Sequence, residues 1–217
     1  MLGPSFQAMA RDTSTSGRTS YGVHVSTSLD GPWTVVPGVT ACNNPAPWVH
    51  PNGTIYLWCG GSLLRADVIS GPYVSVGNHT LSGKGVAGHL EDPQIWTDAR
   101  GDWHCLYHVF QYGKNNGTCV GTHVSAHHYS PDGLNWYTID AEPYGNEVEL
   151  TTGETVVLAT RERPKLFFNA VGEMTHLLNG VCGVPFCSRC VGPCGPGCCD
   201  CKYFNWDYTL VQPLAVG

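Results

Sequence analysis

Carboxylates stand just ahead of prolines at two places in this chain. Glu91-Asp92 precedes Pro93 directly, and Glu162 precedes Pro164 by two residues. Only 13% of the residues are charged, about half the usual share, so acids placed this regularly ask for a chemical reason. Carboxyl groups in one site can divide acid and base work when their surroundings push their proton affinities apart. Arg161 and Arg163 flank Glu162. Successive side chains of a strand point to opposite faces, so neither arginine need share the surroundings of the acid. His104 and His108 lie four apart and therefore on one face of a strand. That stretch is rich in aromatics, so packing and hydrogen bonding are the expected fate of both rings, and no metal ligands are assigned. Nothing in the pattern calls for a cofactor.

Cysteine is the other reactive type. Seven of the 11 cysteines crowd into residues 182–201. Cys187 and Cys190 have zinc-ligand spacing, but no second pair stands at finger-like distance, so a disulfide-knotted loop is expected. Cys42 with Cys59, and Cys105 with Cys119, are expected to bridge hairpins. Three Asn-x-Ser/Thr sequons, at Asn52, Asn78 and Asn116, join the cysteines in pointing to a secreted, extracellular setting. The N-terminus has neither a basic nor an apolar leader region, so no signal peptide is read in this chain. No apolar run approaches the roughly 18 residues of a membrane span. A net charge of −6, with no lysine and arginine patch, argues against nucleic acid as a partner.

The elements that must position these groups are strands. The chain holds 27 Gly and 15 Pro in 217 residues, and they punctuate it too often for any helical window to survive. Three segments align without a gap on a proline: NPAPWVHPNGTIYLW from Asn44, DPQIWTDARGDWHCL from Asp92, and RPKLFFNAVGEMTHL from Arg163. Each has an aromatic residue three after the proline (Trp48, Trp96, Phe167) and a glycine eight after it (Gly53, Gly101, Gly172). Strand, tight turn, strand is the physical reading. Between them recurs a second unit of strand, glycine turn and aromatic, ending at Trp33, Tyr73 and Trp136. Alternating the two gives four-stranded modules of about 40 to 50 residues, the size of a propeller blade. Independent hairpins on a sandwich are the competing arrangement, and the gap-free repeat favours blades. The residues before the repeat proline change chemistry (Asn43-Asn44, Glu91-Asp92, Glu162-Arg163) while the rest of the repeat keeps its character. Such variation is expected where the inner strands of several blades face one cavity. SPDGLNW resembles the Asp-box of sialidases but lacks a residue of it, and it reads as a structural turn in which Asp132 serves local backbone donors.

In order and spacing, NPAP, EDP, SPDGLNW, RERP, THLLNG and the final WDYTLVQPL resemble the family 43 glycoside hydrolases. More closely, they resemble a poorly characterised branch of that family. The likeness covers roughly residues 20 to 180 plus the last strand. It implies an all-β, five-bladed propeller, here incomplete, with about three to four blades present. Residues 1–20 are expected to be loop or a truncated end, 21–181 blades, 182–202 a Cys-rich insertion and 203–217 a closing strand. The resemblance implies roles for particular residues. Glu162 is the general acid, and Asp92 the carboxylate that orients the sugar and keeps the acid protonated. Asn44, Glu91, His108, His127 and Arg163 are expected to contact sugar. The implied partner is a carbohydrate, and the implied reaction is inverting cleavage of an O-glycosidic bond. The family's base, an Asp opening the first blade, has no match in residues 1–20, where Asp12 is a poor stand-in. A non-catalytic carbohydrate-binding propeller is therefore the alternative expectation, with a Cys-rich extracellular interaction protein third. By internal repeat Glu162 matches Glu91, whereas the family pattern makes Asp92 its partner.

Overall fold

Residues 6–12, 20–28, 30–41, 44–83, 89–110, 124–158, 160–182 and 208–214 are described by the structure, a computed structural model. Every regular element among them is a strand, so the expected all-β class holds. The first sheet is a meander of β1 (Phe6–Asp12), β2 (Ser20–Ser26) and β3 (Thr34–Ala41). The second sets β4 (Ala46–Val49), β5 (Ile55–Cys59), β6 (Ser62–Ala66) and β7 (Val74–Ser75) side by side in chain order. A third contains β8 (Thr80–Ser82), β9 (His89–Thr97), β10 (Trp103–Phe110), β11 (Ser125–Ser130) and β12 (Asn135–Ile139), in the order β8-β12-β11-β10-β9. A two-stranded ribbon of β13 (Glu147–Glu149) and β14 (Thr155–Val157) follows. The last sheet joins β15 (Thr160–Phe168), β16 (Met174–Cys182) and β17 (Tyr208–Pro213). No helix among the described residues is long and apolar enough to cross a membrane.

The repeat read from the sequence is a backbone repeat. Gly53, Gly101 and Gly172 take φ of 89°, 89° and 85°, where a side chain would be strained. Each donates its N–H to the carbonyl three residues back, at 2.8 Å to His50, 3.0 Å to Asp98 and 3.0 Å to Asn169. A fourth copy closes β13–β14 at Gly153, φ 83°. The Asp132 turn is also as expected: its carboxylate accepts from the N–H groups of Leu134 and Asn135 at 2.8 and 2.7 Å.

Two expectations are corrected. Phe6–Asp12 were read as loop but form β1, in register with β2 from Phe6↔Ser26 to Asp12↔Ser20. The alternation in FQAMARD is shallow, and it is the ladder to β2 that holds it extended. Cys105 is a free thiol, wholly buried, so it does not pair with Cys119, a residue outside those described. It lies on β10 between buried Trp103 and Leu106 as a small apolar residue, and burial raises its pKa well above the usual thiol range. Cys59 is disulfide-bonded, while its expected partner Cys42 lies outside the described residues, as do Cys-rich positions 183–202.

The chain divides into two units. One comprises Met1–Thr80, Ile95–Trp103 and Pro131–Asn135. Its interior holds Leu57, Leu63, Trp58, Ile95 and Trp96. The second comprises Leu81–Gln94, His104–Ser130 and Trp136–Gly217. Its interior includes Trp136, Leu177 and a cluster of Val148, Leu158 and Val181 flanked by Val156 and Leu210.

Candidate functional site

The residues before the repeat prolines share an unusual backbone. Asn44, Asp92 and Arg163 have φ of 49°, 50° and 55°, and they are the only non-glycine residues with positive φ among those described. A left-handed conformation costs an L-residue roughly 1–2 kcal/mol, less for Asn and Asp, whose short polar side chains fit it. The alignment places the three at one repeat position, so Glu91 and Glu162 are equivalent, each one residue ahead of the left-handed residue. The internal match is the one the backbone follows.

Asp92 and Arg163 belong to the second unit, with Glu91, Glu162, His108 and His127. On β15 the left-handed residue makes a bulge. Glu162 pairs with Gly180 and Lys165 with Leu178, so Arg163 and Pro164 together face Asn179 alone. The bulge breaks side-chain alternation. Arg161, before it, is buried and tied away: Nε donates to Asn179 Oδ1 at 2.9 Å, one terminal nitrogen to the Gly145 carbonyl at 3.0 Å, and the other to Gln212 Oε1 at 2.5 Å. Its guanidinium also lies 4.6 Å over the Tyr144 ring. Burial lowers the pKa of Arg161, and the nearby Tyr144 partly offsets this. Asn179 Nδ2 donates to the Glu162 carbonyl at 3.2 Å, which fixes the backbone of the acid. Glu162 is 5% exposed.

β9 and β15 are fastened by side chains. Gln94 Nε2 donates to the Leu166 carbonyl at 3.2 Å, and Gln94 Oε1 accepts from the Leu166 N–H, so one amide reproduces a pair of ladder bonds. Lys165 Nζ donates to the Pro93 carbonyl at 3.1 Å. The Lys165 stem is exposed while its ammonium is enclosed, and burial lowers its pKa against the pull of Asp92 and Cys105. Gln94 and Lys165 occupy the same repeat position, the residue after the proline.

Beside this strap lies the acidic cluster. Donor atoms of Glu91, Asp92 and His108 all fall within 4.8 Å of one another. Two carboxylates and an imidazole are a set that a divalent cation could take. It is the one such group among the described residues. His108 is 6% exposed, and burial, helped by the Arg163 charge, pushes its pKa down to about 4, leaving a neutral ring at physiological pH. Burial raises the pKa of Asp92, while Arg163 and Lys165 pull it back. Arg163 Nε stands 3.7 Å from Asp92 Oδ2. Burial raises the Tyr144 hydroxyl, and Asp92 and Glu162 both push it further, which sets the two acids around one buried phenol.

The structure thus brings Glu91, Asp92, His108 and Arg163 together, with Glu162 on the adjoining strand. His127 is engaged elsewhere in the same unit: its Nε2 lies 3.0 Å from His104 Nδ1, with the two rings stacked. Burial, then the charges of His104 and His128, lower its pKa to about 4. Asn44 lies in the first unit, at the entry to β4. Sequence reading did not single out Tyr144, Gln94, Lys165 or Asn179. A polar residue one after the proline in two repeats was the available signal for Gln94 and Lys165, whereas Tyr144 stands in a stretch with no repeat.

No protein-family model matches the chain, and no curated protein sequence matches it. Solved structures do. The endo-arabinase of Bacteroides thetaiotaomicron superposes on the whole chain with a TM-score of 0.56 at 11% identity, over 72% of its own length. The Bacillus licheniformis family 43 protein BlXynB, in mutant form, matches at a TM-score of 0.50 and 14% identity. It covers 81% of this chain and 34% of that one. The xylan β-1,4-xylosidase of Bacillus halodurans matches at 0.50 and 14%, over 83% and 35%. The fold is that of the family 43 glycosidase propellers. The chain spans about a third of the length of BlXynB and of the xylosidase. At these identities the likeness of this propeller to its neighbours is one of fold.

Proposed function

We propose that this propeller acts on a glycan at the Asp92–Glu162 face, with cleavage of an O-glycosidic bond as its reaction. The observation that carries the reading is the strapped pair of inner strands. Gln94 binds β9 to β15, and Asp92 and Glu162 bear on the same buried Tyr144 hydroxyl. In the proposed chemistry, Glu162 donates its proton to the leaving oxygen while Asp92 orients the sugar and, as a nearby negative charge, favours the protonated acid. A positioned acid is typically worth about 10² to 10⁴ in rate. Glu91, His108 and Arg163 offer hydrogen bonds to sugar hydroxyls. The sequons and cysteines support a secreted protein.

One observation favours a second reading. The first unit carries Asn44, an amide, where the second carries Asp92. An amide cannot activate water, so the matched positions supply no third carboxylate. A glycan-binding propeller without turnover fits that set. Arabinan and xylan, the substrates printed in the names of structural neighbours, are the first panel to try, followed by a wider set of aryl glycosides. Glu162→Gln is expected to abolish hydrolysis while calorimetry shows sugar affinity retained. Unchanged turnover in that variant refutes the acid role. Binding without turnover in the wild type supports the second reading, and no binding at all overturns both.

A further inference from the structure

We propose that Arg163 selects an acidic sugar, a uronic acid residue whose carboxylate docks on its guanidinium; this rests on the reading that the Asp92–Glu162 face takes a glycan. The first argument is the backbone. Of the three left-handed positions before prolines, two carry Asn and Asp, types that tolerate the conformation, and the third carries Arg, which has no such fit. Arg163 opens a bulge of the kind in which glycine ordinarily sits without strain. A strained residue kept where glycine would do is kept for its side chain.

The ion pair with Asp92 does not supply that reason. At 3.7 Å it is loose, and the Arg163 side chain is 53% exposed, where such pairs contribute little. The exposures differ in an informative way: Asp92 is only 15% exposed. The cation faces solvent and the carboxylate is recessed, so an arriving ligand meets positive charge first. Lys165, two residues on, adds a second positive charge to the same locality. Arg161 does not join them, because Gly145, Asn179 and Gln212 take its donors. A planar guanidinium suits a carboxylate, which it can grip with two parallel bonds.

The test measures binding of oligogalacturonate, oligoglucuronate and neutral oligosaccharides of matched length by calorimetry, at low and high salt. The wild-type chain is expected to favour a uronate by about tenfold or more, since charge-assisted hydrogen bonds are the strong ones. High salt should narrow that margin. In Arg163→Gly the preference is expected to fall to about one, with Arg163→Lys keeping part of it. Glycine accepts φ of 55°, so the thermal midpoint of Arg163→Gly reports an intact fold. Equal binding of neutral and acidic sugars by the wild type, or a preference that survives Arg163→Gly, overturns the proposal and leaves the glycan reading standing. Failure to bind any sugar removes that reading as well.

Discussion

Acid should unfold this protein through its buried imidazoles, and His128 is the place to measure it. His128 is buried on β11 with its ring against Tyr107, centroids 4.9 Å apart, and burial lowers its pKa from 6.5 to about 4. The unfolded chain takes up this proton near 6.5, while the folded chain resists until about 4. Between those values the unfolded state holds more protons, so stability falls as pH falls. The gap is worth roughly 3 kcal/mol in all, or up to about 1.4 kcal/mol per pH unit. That is a large fraction of the 5–15 kcal/mol typical of a folded domain. His108 and His127 push the same way, also titrating near 4. Asp92, with its raised pKa, opposes them: protonating it favours the fold as pH drops through its range. Urea denaturation at several pH values from 7 to 4 gives the slope of stability against pH for the wild type and for His128→Phe, which keeps an aromatic ring on Tyr107. The variant slope should be shallower by about 1 kcal/mol per pH unit. Superimposable slopes would refute the argument, whatever the variant does to absolute stability.

Arg161→Met should destabilise the second unit by about 2–4 kcal/mol, because it leaves Asn179 Oδ1, the Gly145 carbonyl and Gln212 Oε1 without their donor; a denaturant titration reads this directly. A loss under 0.5 kcal/mol, of the order expected at ordinary surface sites, would show that water replaces it there. Gly133→Ala should cost about 1–3 kcal/mol in thermal unfolding. Gly133 has φ of 75°, and an added Cβ would meet Trp103 at 3.2 Å and Leu63 at 3.3 Å. An unchanged midpoint would mean that Trp103 can shift without loss.

The hairpins were legible in the sequence because glycine and proline act locally. Pro45, Pro93 and Pro164 with Gly53, Gly101 and Gly172 set strand entry and turn by their own covalent geometry. The fourth turn, LTTGET, has the glycine but neither the proline nor the aromatic, so its kinship shows only in its hydrogen bonds. β1 was missed because a shallow alternation becomes a strand only beside a partner. Of the site, the acids were legible by repeat phase. The strap was not: Gln94 and Lys165 act across 72 residues of chain, a separation that no local pattern reports. His127 was placed on the cavity by likeness of its HHYSPDG stretch, whereas its ring stacks on His104, 23 residues away. Cys105 could have been judged by its place in WHCLYH, an apolar strand in which a thiol packs as well as it pairs.

The left-handed residue before each proline has a consequence for how such a protein can change. Asn44, Asp92 and Arg163 show one backbone carrying an amide, an acid and a base. The frame is set by the proline behind and the glycine eight residues on, so the residue it presents can be exchanged without redesigning the strand. A new ligand preference is then one codon away. At such a position glycine is the ancestor or the blank to start from, and a library of twenty variants at residue 163 is a short route to new specificities.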